Sequence, residues 1–194
     1  MAKLKAFRRI IIQDHSGRVE YDSGLEPSNS FVIAFLEHLY GAHAEVNVTI
    51  EDRGNTPMLV PSPDSMPIAV VRMKVNAPDD EGAYGLVVGT GTAAEANTDY
   101  KLATKIDHGT GAGQLDHGAH NWTVPAVVGS NVDMVVSRSF YNGSGSSITV
   151  REIGIFCRSN PSWNFLLARD VLSTPTTVNH TQTLTLQYTL RTTV

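Results

Sequence analysis

Two Asp-His-Gly triplets, Asp107-His108-Gly109 and Asp116-His117-Gly118, followed by His120, form the densest set of potential ligands in this chain. Imidazole and carboxylate groups suit zinc and related divalent ions, and His117/His120 has a short, ligand-like spacing. The surrounding loop also carries Gly109, Gly111, Gly113 and Gly118. Backbone this free holds ligands in fixed positions poorly, and Asp beside Gly is ordinary turn chemistry. The expectation is therefore a surface turn, or a contact between subunits, ahead of a metal site or a metal-dependent hydrolase.

Other residue patterns with chemical meaning lack the context they need. Gly89-Thr90-Gly91-Thr92-Ala93-Ala94 formally matches G-x-G-x-x-A after the apolar run 86–88. A dinucleotide site requires a helix opening within that loop, so that its first amides meet the pyrophosphate. The following Glu95-Ala96-Asn97-Thr98-Asp99 is too short for one, and a loop between strands is expected. Gly143-Ser144-Gly145-Ser146 is not a nucleophile elbow. The single cysteine, Cys157, lies in the apolar run 153–157 and reads as a small buried hydrophobe, not a nucleophile or half of a disulfide. Arg169-Asp170 reads as an ion pair at a rim or interface, worth little if exposed. No catalytic, cofactor-binding or metal-binding residue is assigned, and no cofactor is expected.

Composition narrows the partners. Of 194 residues, 41% are hydrophobic and 18% charged, and the formal net charge is -4. That balance gives no global reason to expect nucleic-acid binding. The locally basic run 1–9 (Lys3, Lys5, Arg8, Arg9) reads as a solvated terminus, or as an arm touching an acidic surface. No stretch approaches the roughly 18 apolar residues a membrane helix needs. The Asn-x-Ser/Thr matches at Asn47, Asn121, Asn142 and Asn179 read as strand and turn chemistry, since residues 10–12 are too short for a signal-peptide core.

The elements that must position these groups are mostly strands. Residues 7–12 and 18–22 read as a hairpin about His15-Ser16-Gly17. Pro27, Ser28, Asn29 and Ser30 offer caps for a helix over 31–40, stopped by Gly41. Strands are expected at 46–50 and 68–75, with Pro57, Pro61, Pro63 and Pro67 keeping the stretch between them irregular. The acidic turn 76–82 is the best internal boundary, giving residues 1–80 as hairpin, helix and connection and 81–194 as the body. There, residues 132–140 and 148–157 read as strands joined by an Asn142-Gly143-Ser144-Gly145 hairpin. The second shifts its apolar phase near Arg151-Glu152, the mark of a β-bulge. Leu184, Leu186, Tyr188 and Leu190 alternate cleanly with polar residues. Short strands with turns about every ten residues indicate an antiparallel β-sandwich, jelly-roll-like or immunoglobulin-like, with one short N-terminal helix.

Several segments together resemble a group of tailed-bacteriophage virion proteins. They are residues 19–25 (VEYDSGL), 30–39, 87–92 (VVGTGT), 99–102 (DYKL), 106–115 (IDHGTGAGQL), 139–150, 152–155, 167–172 and 183–190. The resemblance implies a β-sandwich preceded by a short hairpin and helix, and a non-enzymatic virion component made in the host cytoplasm. A multi-copy capsid-associated accessory or decoration role is expected, with a tail or fibre attachment role as the alternative. Expected partners are further copies of the chain and other capsid or tail proteins. From another class comes a glycan-binding sandwich that uses Trp122, Trp163 or Tyr141, which requires these aromatics to form an exposed platform.

Overall fold

The computed structural model describes residues 3–28, 31–62, 73–160 and 162–193. In chain order these form β1 (Lys3–Gln13), β2 (Val19–Asp22), β3 (Glu26–Ser28), α1 (Ile33–His43), β4 (Val48–Glu51), β5 (Pro57–Val60) and β6 (Gly85–Gly89). There follow β7 (Asp116–Trp122), β8 (Ala126–Val128), β9 (Asn131–Tyr141), β10 (Ile148–Asn160), β11 (Trp163–Val178) and β12 (Thr183–Thr193). The protein is mostly β, with antiparallel sheets and one short helix. No described helix is long and apolar enough to cross a membrane.

The larger sheet has the order β2-β1-β12-β9-β7, with β3 beside β1 and β8 beside β9. Its inward face follows from the period-2 pattern of β12. Leu184, Leu186 and Tyr188 are buried, and they pair with Ile12, Ile10 and Arg8 on one side and with Phe140, Arg138 and Val136 on the other. Each fully buried aliphatic side chain contributes roughly 1.5–3 kcal/mol, so these rows bind β1, β9 and β12 into one layer.

The smaller sheet has the order β11-β10-β6, and its inward residues join the same core cluster. Leu86, Val87 and Val88 of β6 are all fully buried, because this sheet is covered on both faces. Ile155 looks toward Val136 and Tyr188 of the larger sheet. On the opposite face Glu152 and Gly154 meet the loop that follows β6, Gly154 lying against Leu102.

The basic N-terminal run is neither an arm nor a solvated tail. Residues 3–9 lie within β1, which pairs with β12 from Lys3↔Thr193 to Gln13↔Thr183. Arg8 and Arg9 are ion-paired to Asp170 and Asp22. The Arg8 charge is held inside the fold, whereas the Arg9–Asp22 pair lies at the surface.

The helix spans Ile33–His43 and starts later than the sequence pattern suggests. Glu26–Ser28 is drawn into β3, and the residue before the helix is Val32, whose side chain makes no cap hydrogen bond. Gly41 does not stop it; the helix runs on to His43 with Gly41 packed against Val48 of β4.

The proline-rich stretch is more regular than expected at its start. Pro57 occupies the first position of β5, where a missing amide is tolerated, and β5 pairs with β4 from Val48↔Val60 to Glu51↔Pro57. Burial of Ile50 and Val60 drives the pairing, and Asp52 fixes the turn by accepting from the amides of Gly54 and Thr56. Pro63, Pro67 and most of the expected strand at 68–75 lie outside the described residues. Lys74 makes an isolated bridge to Arg158.

The turn at 142–145 does not close a hairpin. β9 pairs with β12 and β7, whereas β10 pairs with β11 and β6, so the turn carries the chain from one sheet to the other. Buried Asn142 holds the crossing through Nδ2 bonds to the carbonyls of Ser146 and Val178, both 2.8 Å. The bulge near Arg151-Glu152 is present and larger than one residue. Val150 faces Thr176 while Glu152 faces Val171, so residues 172–175 of β11 lie opposite Arg151 alone.

Candidate functional site

The two Asp-His-Gly segments lie side by side. The Leu115 amide donates to the Asp107 carbonyl (3.2 Å) and the Gly109 amide to the Leu115 carbonyl (3.0 Å). The His117 amide then donates to Nδ1 of His108 (3.1 Å). Strand alternation turns His117 inward against the Phe140 ring, with centroids 5.0 Å apart, while Asp116 stays partly exposed. His120 accepts the Leu86 amide at Nε2 (2.7 Å) and turns Nδ1 to the Ala77 carbonyl (3.1 Å), which fixes a neutral ring protonated at Nδ1. Burial, aided by the Arg138 charge, pushes His117 down to about 3 and His120 down to about 4. Both ring nitrogens of His117 are buried without a hydrogen-bond partner.

These imidazoles do not converge on one ion. Among the described residues, the group able to bring ligand atoms within 4.8 Å of one another is Asp80, His108 and Asp116. Nδ1 of His108 is already engaged as an acceptor, so the neutral ring carries its proton on Nε2, 3.6 Å from Asp80. A metal at Nε2 requires that proton on Nδ1 instead, facing an amide N–H. The donor set therefore suits a hydrogen-bonded clasp between two loops better than a metal centre.

Arg138, on the strand expected at 132–140, is the organising charge of this region and was not among the candidate residues. It is 1% exposed, and its partners are backbone carbonyls: Gly118 (2.7 Å), Leu86 (3.0 Å), Tyr84 (3.3 Å), Pro78 (3.5 Å) and Glu81. Burial lowers the guanidinium to about 10. One side chain thus ties residues 78–86, including the start of β6, to the larger sheet. The available signal was a lone arginine in the inward phase of an apolar strand, which must find acceptors or unfold the strand.

The G-x-G-x-x-A segment serves a buried carboxylate, not a nucleotide. No helix follows it. Glu152, fully buried, accepts the amides of Gly91 (3.0 Å), Ala103 (3.0 Å) and Thr104 (2.7 Å). A Cβ at Gly89 or Gly91 would collide with this carboxylate, so the glycines permit its close approach. Arg169 reaches Glu152 (2.9 Å) and Asp99 (2.8 Å) and donates to the carbonyls of Ala93 and Ala94. The loop is pinned along its length.

Arg169 and Asp170 do not pair with each other, and neither lies at a rim. Consecutive strand residues point to opposite faces. Arg169 faces the loop, whereas Asp170 faces the larger sheet, where it meets Arg8 (3.2 Å), the Ser28 hydroxyl (2.7 Å) and the Tyr188 hydroxyl (2.6 Å). Both residues are buried, at 2% and 1% exposure.

The remaining candidates separate in space. Cys157 is buried 3.5 Å from Nε2 of His38, and burial pushes its thiol up to about 12, out of reach of nucleophilic chemistry. Trp122 is opposite Val136 on β9, and Tyr141 lies five positions further along that strand. An odd separation puts these two aromatics on opposite faces of the sheet. Trp163, on the smaller sheet, packs against the core. The three form no common platform.

No family model, curated protein or solved structure matches the chain.

Proposed function

We propose that the chain is a non-enzymatic structural component of a tailed-phage virion, most simply a multi-copy capsid-associated accessory or decoration protein. The resemblance of its strand and turn segments supports this reading. So does the use of its buried ionisable groups: Arg138 is bound to backbone, Glu152 to Arg169 and backbone, and Asp170 to Arg8 and the Ser28 and Tyr188 hydroxyls.

The observation that carries the proposal is the exposure of large apolar side chains on separate surfaces. Ile33, Leu36 and Tyr40 project from α1, Val124, Val127 and Val128 from the β7–β9 hairpin end, and Leu4 from the start of β1. Contiguous exposed apolar groups mark surfaces that are covered in an assembly, and several such surfaces fit a protein surrounded by neighbours.

The test is quantitative composition of purified particles that encode the chain, with labelled antibody to locate it. Stoichiometric presence on the head is expected. Label confined to the tail would select the attachment role, and absence from intact particles would overturn the proposal.

A further inference from the structure

Helix α1 buries Ala34 and His38 and leaves Ile33, Leu36 and Tyr40 at 52, 63 and 61% exposure. Positions 33, 36 and 40 lie on one face of a helix, so the three make a continuous stripe about 10 Å long. The β4–β5 hairpin packs against the helix through Val48, which lies against Gly41. Nothing among the described residues covers this strip.

At the strip two acids lie close enough to feel each other, Glu37 and Glu51. The sequence from Val19 to Asp52 contains seven acids and no lysine or arginine. Glu20, Asp22 and Glu26 are paired with Arg18, Arg9 and Arg8, and Asp52 is engaged by the amides of its own turn. Glu37, Glu45 and Glu51 make no ion pair among the described residues. Glu37 lies within the stripe, one turn after Ile33, and both its partial burial and the nearby Glu51 raise its carboxyl. His43 stands at the last turn of the helix.

We propose that the outer face of α1 docks a partner protein whose surface is apolar at the centre and rimmed by lysine or arginine. Charge complementarity selects this occupant. A two-fold contact of the face with its own copy sets Glu37 and Glu51 against like charges, and nucleic acid or an anionic membrane carries the same sign as the rim. A cationic rim satisfies Glu37 and Glu51 while the centre covers Ile33, Leu36 and Tyr40. This rests on the virion reading only in taking the partner to be another particle protein.

The experiment titrates the full chain with a fluorescent amphipathic helical peptide bearing leucines on one face and flanking lysines. A control peptide has every lysine replaced by glutamate. The lysine peptide binds, and more weakly at high salt, while the glutamate peptide does not. Leu36→Asp weakens binding by roughly tenfold or more. The double variant Glu37→Lys/Glu51→Lys also loses the lysine peptide and gains the glutamate peptide. Leu36 and Glu51 are exposed and Glu37 is half-buried, and an unchanged thermal unfolding curve confirms the fold. Equal binding of the two peptides, or indifference to the charge reversal, overturns the proposal. So does a dimer of the chain alone that Leu36→Asp dissolves. Failure here leaves particle membership standing, and absence from particles leaves the peptide result standing.

Discussion

Nε of Arg169 lies 2.9 Å from Oε2 of Glu152, and neither side chain reaches solvent appreciably. The pair is less an isolated bridge than the hub to which the loop after β6 is fastened, through three amides on the carboxylate and two carbonyls on the guanidinium. Removing one member of a buried pair strands the other, at a cost of about 3–5 kcal/mol. Glu152→Gln should fall at the lower end, because Asp99 still serves Arg169. Urea denaturation measures the loss; an unchanged midpoint would show that the loop is not held this way.

Between the sheets, the Tyr188 hydroxyl donates to Asp170 at 2.6 Å. Tyr188→Phe keeps the ring and deletes one hydrogen bond to a charged acceptor, so stability should drop by about 1.5–3 kcal/mol. Asp170→Ala should cost more, since Arg8 is then left without its buried partner. A double-mutant cycle between Tyr188 and Asp170 gives the coupling directly.

Acid sensitivity should begin above the carboxylate range. Unfolded histidine titrates near 6.5, whereas folded His117 and His120 titrate at about 3 and about 4. Below pH ~6.5 the unfolded chain therefore binds more protons than the folded one, and stability falls with falling pH. The loss continues to about pH 4 for His120 and about pH 3 for His117. Each contributes a slope of at most about 1.4 kcal/mol per pH unit. His117→Phe should flatten the dependence between pH 4 and 6.5, measured by unfolding at a series of pH values. A flat wild-type profile in that window would refute it.

Truncating residues 1–9 should abolish cooperative unfolding rather than trim a tail. The deletion removes most of β1, takes away the residues that pair with β3 and leaves Asp170 without Arg8. Circular dichroism and a melting curve of the truncated chain provide the check.

The fold was legible wherever one face of a strand is wet. β12 could be read from residue 184 to 188 because Leu184, Leu186 and Tyr188 face the core and Thr185 and Gln187 face outward, whereas beyond them Thr189 is buried and Leu190 only half-buried. β11 was not, since its middle is buried on both sides and shows no alternation. Pro57 misled because proline forbids a central strand but permits the first residue of an edge. The turn at Asn142 looked like a hairpin because turn chemistry fixes the local bend and says nothing about which sheet receives the next strand. The histidine loops were visible as a cluster, but the roles of His117 and His120 depend on Arg138 and on carbonyls of residues 77–86. Those contacts are set by tertiary packing, which no spacing in the chain encodes.

The Lys3↔Thr193 pairing has a consequence for the birth of the protein. β1 is made before the other described strands, carrying Ile10, Ile11 and Ile12. Its long-range neighbour β12 follows all the other described strands. Throughout translation the nascent chain thus holds an apolar ribbon whose proper mate does not yet exist, with only the short β2 and β3 to shield it. Such a topology folds late and slowly, and the interval before closure is when a chaperone or a neighbouring nascent copy meets that ribbon.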